Sequence, residues 1–214
     1  MGRRDEELRA TLEQMNGSGH SILNHDIDDL RGISAIVREA AMGLGGVDSL
    51  VHCAGVHSAL PLRTVDSEDV TKLFRTNVSS AIMFAKAFRV RQIPKRAPSI
   101  VFLSSAVGVV GQPGVSVYSA SKGAIIALTK SLALELAREG IRVNCITPGV
   151  VATEMTADLR KRVGEQAFGL IETQHPLGLG APSDVASGAL YLISDAARWV
   201  TGTSLAIDGG YTAQ

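Results

Sequence analysis

The chain has 214 residues, of which 45% are hydrophobic and 20% charged, a balance that fits one soluble domain with a sizeable core. Lys plus Arg equals Asp plus Glu at 21 each, which gives no expectation of a nucleic acid or an anionic membrane as partner. No apolar run is long enough to span a membrane, no signal-peptide core opens the chain, and Cys53 and Cys145 lie far apart in apolar segments, so the sequence reads as cytoplasmic, without a disulfide or a metal pair.

Asp5 to Met15 carries Leu8, Leu12 and Met15 on one helical stripe, and Asn16-Gly17-Ser18-Gly19 ends it. His20 to Ile27 contains a short predicted strand with Asp26 at its C-terminal end. Asp28 is the expected cap of a helix to about Met42, with Ile33, Ile36, Val37 and Ala40 inward. Val47 to Cys53 reads as a strand closed by Ala54-Gly55. Ser67 is the expected N-cap of a helical pattern reaching Arg91, with a break inside it, and Pro94 and Pro98 forbid its extension. Ser99 to Ser104 is a near-continuous apolar run, the pattern of a strand buried on both faces. A helix then extends to about Glu139, Ile141 to Ile146 is a strand, and Thr147-Pro148-Gly149 turns out of it. Thr153 to Phe168 is polar and expected to be mobile. Pro182-Ser183-Asp184 starts a helix to Ile193, and Ser204 to Ile207 is a last strand. Strands alternating with helices predict an α/β fold, a doubly wound parallel sheet in three α/β/α layers.

In such a sheet ligands sit beyond the carboxyl ends of the strands, where Asp26, Ala54-Gly55, Ser105 and Pro148-Gly149 fall. Tyr118 and Lys122 follow Ser105 at helical i, i+4 spacing, which puts phenol and ammonium on one face. A charge about 5 Å away, at an effective dielectric of about 20, favours the phenolate by roughly 3 kcal/mol. That would make Tyr118 an acid or base at neutral pH. Spacing alone equally allows a solvated helix face.

The combination decides between them. Asp26-Ile27, His52-Cys53-Ala54-Gly55, Asn77-Val78, Ser104-Ser105-Ala106-Val107-Gly108, Tyr118-Ser119-Ala120-Ser121-Lys122, Ile141-Arg142-Val143-Asn144, Pro148-Gly149-Val150-Val151-Ala152-Thr153 and Asp208-Gly209-Gly210 follow in order along essentially the whole chain. In these pieces the chain resembles the short-chain dehydrogenase/reductase family, with its Rossmann-like fold, and within it the 3-oxoacyl-carrier-protein reductase branch. The resemblance implies an NAD(P)-dependent oxidoreductase acting on a carbonyl or secondary alcohol, or on an acyl thioester bearing a carbonyl. It implies that Tyr118 exchanges a proton with the substrate oxygen, Ser105 hydrogen-bonds that oxygen, Lys122 holds the nicotinamide ribose and lowers the Tyr118 pKa, and Asn77 connects Lys122 to solvent. Asp26 and Ile27 would flank the adenine, and Ala54 and Gly55 would let the backbone approach the cofactor. Pro148, Gly149 and Val151 would bind the cofactor as well, and Thr153 would reach its nicotinamide carboxamide or its phosphates. His52 and Cys53 depart from the asparagines usual there. A homotetramer is implied, built on the helices ending near Arg91 and Glu139.

No Gly-x-Gly-x-x-Gly turn occurs in the sequence. Relative to the family the chain is expected to be N-terminally truncated: one domain over residues 1–214 lacking the first strand, the glycine-rich loop and the first helix. Two readings follow, an active reductase in shortened form or a non-catalytic subunit of the same fold. Arg3 and Arg4 stand where a guanidinium can pair with a 2′-phosphate, which favours NADP(H) over NAD(H). The segment from Thr153 to Pro182 is the expected substrate lid, with Met155, Leu159, Phe168, Leu170 and Leu177 as candidate pocket residues. The histidines at 20, 25, 57 and 175 show no metal-ligand spacing and are expected at the surface.

Overall fold

The computed structural model describes residues 1–91 and 98–214, and of Val90 and Arg91 the backbone alone. Pro94 lies outside the described residues. Four strands, β1 (Ser49–His52), β2 (Ser99–Leu103), β3 (Arg142–Pro148) and β4 (Ser204–Ile207), form one parallel sheet in the order β1-β2-β3-β4. The helices are α1 (Asp5–Gln14), α2 (Ile33–Leu44), α3 (Ser67–Phe74), α4 (Ser80–Arg91), α5 (Ser116–Leu136), α6 (Glu154–Val163), α7 (Glu165–Thr173) and α8 (Pro182–Ile193).

The pleat of β2 explains the three layers. Side chains alternate across a strand, so Ile100 and Phe102 point one way and Val101 and Leu103 the other. Ile100 and Phe102 join Ala85 and Phe88 of α4 and Ile125 and Leu136 of α5 in one core. Val101 joins Ile146 and Leu192 of α8 in a second core, with Val51 and Leu103 packed against it. A third cluster carries Ile33, Ile36 and Val37 of α2 against Phe84 of α4. The apolar run at 99–103 is therefore buried on both faces, as its sequence predicts.

Several local expectations are corrected. The segment 20–27 is not a strand of the sheet, for its pairing is one parallel bridge between Asn24 and Gly2. A strand is stabilised by a ladder, and Ser21-Ile22-Leu23-Asn24 supplies two apolar side chains with no ladder partner beyond that bridge. Asp28 does not cap α2, which starts after Gly32; it accepts a hydrogen bond from Thr76 Oγ1 at 2.7 Å instead. The N-cap of α3 is Asp66, not Ser67, because its carboxylate takes the N–H groups of both Glu68 and Asp69. The expected break before Arg91 is a π-helical turn, Arg75–Ser79. The segment after Thr153 forms two helices, α6 and α7, meeting at Gly164, whose φ of 82° suits the absence of a Cβ.

Candidate active site

Parallel strands bring Ala54-Gly55, Ser105, Pro148-Gly149 and Asp208 to one edge of the sheet. An open cleft of about 190 Å³ lies there, lined by Ser105, Tyr118, Pro148, Gly149, Val151 and Thr153 among others. Among the described residues no Asp, Glu, Lys or Arg lines it, and apolar side chains such as Met155 and Leu159 make up much of its wall. Phe168, Leu170 and Leu177 do not line it. Phe168 is buried beneath Arg160, and the two leucines are exposed.

The Ser105 hydroxyl lies beside the Tyr118 phenol, near enough to pull its pKa down against the effect of burial. Lys122 lies one turn further along α5, with its ammonium 5.6 Å from the Tyr118 ring centroid. That ammonium donates to Leu103 O at 2.9 Å, while Ser104 Oγ donates to Lys122 O at 2.8 Å. The end of β2 and the second turn of α5 are thus tied by two bonds. Gly108 allows the approach, since a Cβ there would meet the Lys122 carbonyl carbon at 2.9 Å.

The π-helical turn places Asn77, which is 1% exposed. Its Nδ2 donates to Val56 O at 3.0 Å and to Ser121 Oγ at 3.1 Å, and its Oδ1 accepts from Val56 N–H at 2.8 Å. One side chain therefore fixes both the loop after β1 and the first turns of α5. A Cβ on Gly55 would lie 3.3 Å from both Asn77 Oδ1 and Lys122 Nζ, so glycine keeps the floor open beside the ammonium.

One expectation fails. The Lys122 charge does not lower the Tyr118 pKa: burial raises it, and the Ser105 hydroxyl offsets this in part. Burial also lowers Lys122 from 10.5 to about 8, against the countering charge of Cys53. Desolvation of both groups outweighs their mutual Coulomb energy, because Lys122 points to a backbone carbonyl rather than to the phenol.

Residues 2–212 match the family model described as Enoyl-(Acyl carrier protein) reductase. The chain belongs to the short-chain dehydrogenase/reductase family. It is 40% identical over 195 residues to galactitol 2-dehydrogenase (L-tagatose-forming) of Cereibacter sphaeroides, covering 87% of this chain and 74% of that one. It is 35% identical over 194 residues to "Inactive 2-(S)-hydroxypropyl-CoM dehydrogenase 2" of Xanthobacter autotrophicus, covering 88% and 83%. The 3-oxoacyl-[acyl-carrier-protein] reductase of Staphylococcus aureus is 31% identical over 208 residues, covering 96% and 83%. Among solved structures, ElxO with NADP bound superposes with a TM-score of 0.81 at 30% identity, covering 91% of this chain and 79% of that chain. The chain therefore belongs to a nicotinamide-dependent oxidoreductase family and has its Rossmann fold.

Within this short-chain dehydrogenase/reductase, other expected cofactor residues lie outside the cleft lining. Arg3 and Asp26 are exposed and leave the Gly2–Asn24 bridge at the same end. Asp26 Oδ1 accepts from Asp28 N–H at 3.0 Å, and Ile27 packs against the α2–α4 cluster. Ala54 and Gly55 are exposed at the end of β1.

Two histidines that sequence reasoning placed at the surface are in the site. His175 is buried: its Nδ1–H donates to Ile171 O at 2.8 Å, and its Nε2 accepts from Val150 N–H at 3.1 Å. It stacks on Tyr211 and fixes the 148–150 turn as a neutral tautomer. His57 lies edge-on to Tyr118 with ring centroids 4.7 Å apart. No spacing signal marks either one, since α7 and the loop after β1 bring them in through tertiary packing. His20 and His25 are surface residues bonded to nearby carbonyls.

His52, the departure from asparagine, is buried against Phe84 and Phe102, and its Nε2 shares a 3.0 Å bond with Ser80 Oγ. Ser80 Oγ in turn donates to Thr76 O in the π-helical turn, so His52 braces the turn that carries Asn77. Burial, the Lys122 charge and, in opposition, its own backbone bring its pKa from 6.5 to about 4. The unfolded chain then binds the proton first, so stability should fall as pH drops from about 6.5 towards 4, by about 3 kcal/mol in full. Urea midpoints across this range should fall less for His52→Gln than for wild type. Equal slopes would remove His52 from the account.

Proposed function

We propose that this protein interconverts a carbonyl and a secondary alcohol with NADP(H), acting as a 3-oxoacyl-carrier-protein reductase-like enzyme, with Asn77, Ser105, Tyr118 and Lys122 as its working groups. The single observation that carries the reading is the Ser105–Tyr118 pair, side by side in the lining of one cleft at the strand ends, with the Lys122 ammonium 5.6 Å from the Tyr118 ring.

The residues present fit the nicotinamide end of the cofactor. Lys122 commits one of its three N–H donors to Leu103 O, leaving two for ribose hydroxyls. Gly55 keeps the approach free of a Cβ, and the turn Pro148–Gly149 is held by His175. Ala54, Val151 and Thr153 extend the same edge, and Thr153 also caps α6. When bound, the nicotinamide supplies or accepts the hydride. Tyr118, neutral because burial raises its pKa, donates its phenolic proton to the substrate oxygen in reduction. Ser105 hydrogen-bonds the same oxygen and holds it at the phenol. Lys122 acts by holding the ribose hydroxyls beside Tyr118, with its ammonium anchored on Leu103 O.

Cofactor preference rests on Arg3. Arg4 pairs with Glu7 at 2.8 Å, whereas Arg3 makes no hydrogen bond or ion pair among the described residues. Its guanidinium is free for a 2′-phosphate, with Asp26 and Ile27 near the adenine. Arg3→Glu should lower kcat/KM with NADPH by about 10- to 100-fold while sparing NADH. An unchanged NADPH/NADH ratio would refute the assignment.

A non-catalytic role is the second reading, favoured by the likeness to a relative named as an inactive dehydrogenase. NADPH oxidation with a 3-oxoacyl thioester separates the two. Turnover abolished by Tyr118→Phe supports catalysis, and tight NADPH binding without turnover of thioester, ketone or sugar supports the other. A homo-oligomer, proposed as a tetramer, fits the outward apolar side chains Ile82 on α4 and Leu134 on α5. Among the described residues no helix is long and apolar enough to cross a membrane.

A further inference from the structure

His57 is the one histidine that makes no hydrogen bond or ion pair among the described residues. His20, His25, His52 and His175 each bond a partner at 2.8–3.2 Å. Yet His57 is not on the open surface. It is half-buried, it lines the cleft, and its ring meets the Tyr118 ring at 4.7 Å with an interplanar angle of 67°. Burial and the nearby Arg162 charge hold its pKa below the ordinary value, so the imidazole is neutral at pH 7, with one N–H donor and one lone pair. Its ring nitrogens are not among the buried unpartnered polar atoms, so they face the open cleft with a donor and an acceptor uncommitted to protein and available to a ligand there.

We propose that His57 is a substrate-recognition residue that hydrogen-bonds a second oxygen of the substrate, one or two carbons from the carbon that reacts at Tyr118. The inference rests on the carbonyl/alcohol reading above and adds to it the side chain that reads a second oxygen, the feature that separates 3-oxoacyl thioesters and diols from simple ketones and alcohols. The uncharged lining agrees, since no side chain there would pair with an ionised group on the substrate. His57 offers a donor and an acceptor, so a second hydroxyl or a second carbonyl would both be read.

The two roles open to His57, ring packing on Tyr118 and hydrogen bonding to substrate, are separable by substitution. His57→Phe keeps an aromatic ring against Tyr118 and removes both ring nitrogens. His57→Asn keeps a donor and an acceptor and removes the ring. The measurement is kcat/KM for oxidation of sec-butanol and of the corresponding vicinal butanediol, with saturating NADP⁺ or NAD⁺. Wild type should prefer the diol by about tenfold or more, the worth of one good hydrogen bond. His57→Phe should lose that preference with sec-butanol changed by less than about twofold, and His57→Asn should retain part of it. No preference in wild type, or equal losses on both alcohols in His57→Phe, would overturn the proposal and leave His57 a packing residue. Failure of wild type to oxidise either alcohol, with retained NADPH binding, would instead count against the oxidoreductase reading beneath it.

Discussion

Tyr118→Phe should reduce turnover by about 10²- to 10⁴-fold while leaving cofactor affinity within about twofold. The substitution deletes one hydroxyl and keeps the ring that packs against His57, so the fold has no reason to change. In reduction the phenol delivers the proton that completes the alcohol, and among the cleft-lining residues no carboxylic acid or lysine could replace it. The pH profile should carry the same signature. Burial raises the Tyr118 pKa over the ordinary phenol value, so the phenol stays protonated through neutrality, and alcohol oxidation should still be rising with pH above 7. A profile that levels off near pH 7 would mean that another group exchanges the proton.

Lys122→Met should lose activity and gain stability. The ammonium is buried, and its pKa falls from 10.5 in the open chain to about 8. For a base whose folded pKa is depressed, the cost is fully present below the folded value and disappears as pH rises through the unfolded one. Ionised Lys122 therefore destabilises the fold by about 3 kcal/mol below pH 8, and the cost is gone by about pH 10.5. A methionine fills much of the same volume without charge, so Lys122→Met should raise the urea midpoint at pH 7 and converge with wild type above pH 10. Part of the gain is offset by the lost bond to Leu103 O. The same variant should weaken NADPH binding and turnover by about 10- to 100-fold each, since a charge-assisted hydrogen-bonding group is removed. A midpoint lower than wild type at pH 7 would show that Lys122 contributes to stability after all. Strain of this kind at a working site is a common exchange of stability for chemistry.

The placing of Ser105, Tyr118 and Lys122 together was legible in the sequence because their elements are local. Ser105 ends an unbroken apolar strand, and Tyr118 and Lys122 sit four apart on one helix, so position and spacing put them at the strand ends. Asn77 was legible by resemblance, but the reason it points inward is the π-helical turn, which no periodicity announces. The electrostatics were misread for a physical reason. Spacing gives the distance between two charges but not their desolvation, and here burial of the phenol and the ammonium outweighs their attraction. His57 and His175 were missed because they reach the site by tertiary packing, from the loop after β1 and the end of α7. The segment 20–27 was misread as a strand because a strand's existence depends on a neighbour that local sequence does not contain.

The most direct test of the central claim is transfer of deuterium from nicotinamide-deuterated NADPH to a 3-oxoacyl thioester, followed by mass spectrometry of the product. Wild type should place one deuterium on the new carbinol carbon, and Tyr118→Phe should place almost none in the same time. Transfer that proceeds equally in the variant, or no transfer by wild type to any carbonyl despite bound NADPH, would contradict the assignment of Ser105, Tyr118 and Lys122 as a reductase site.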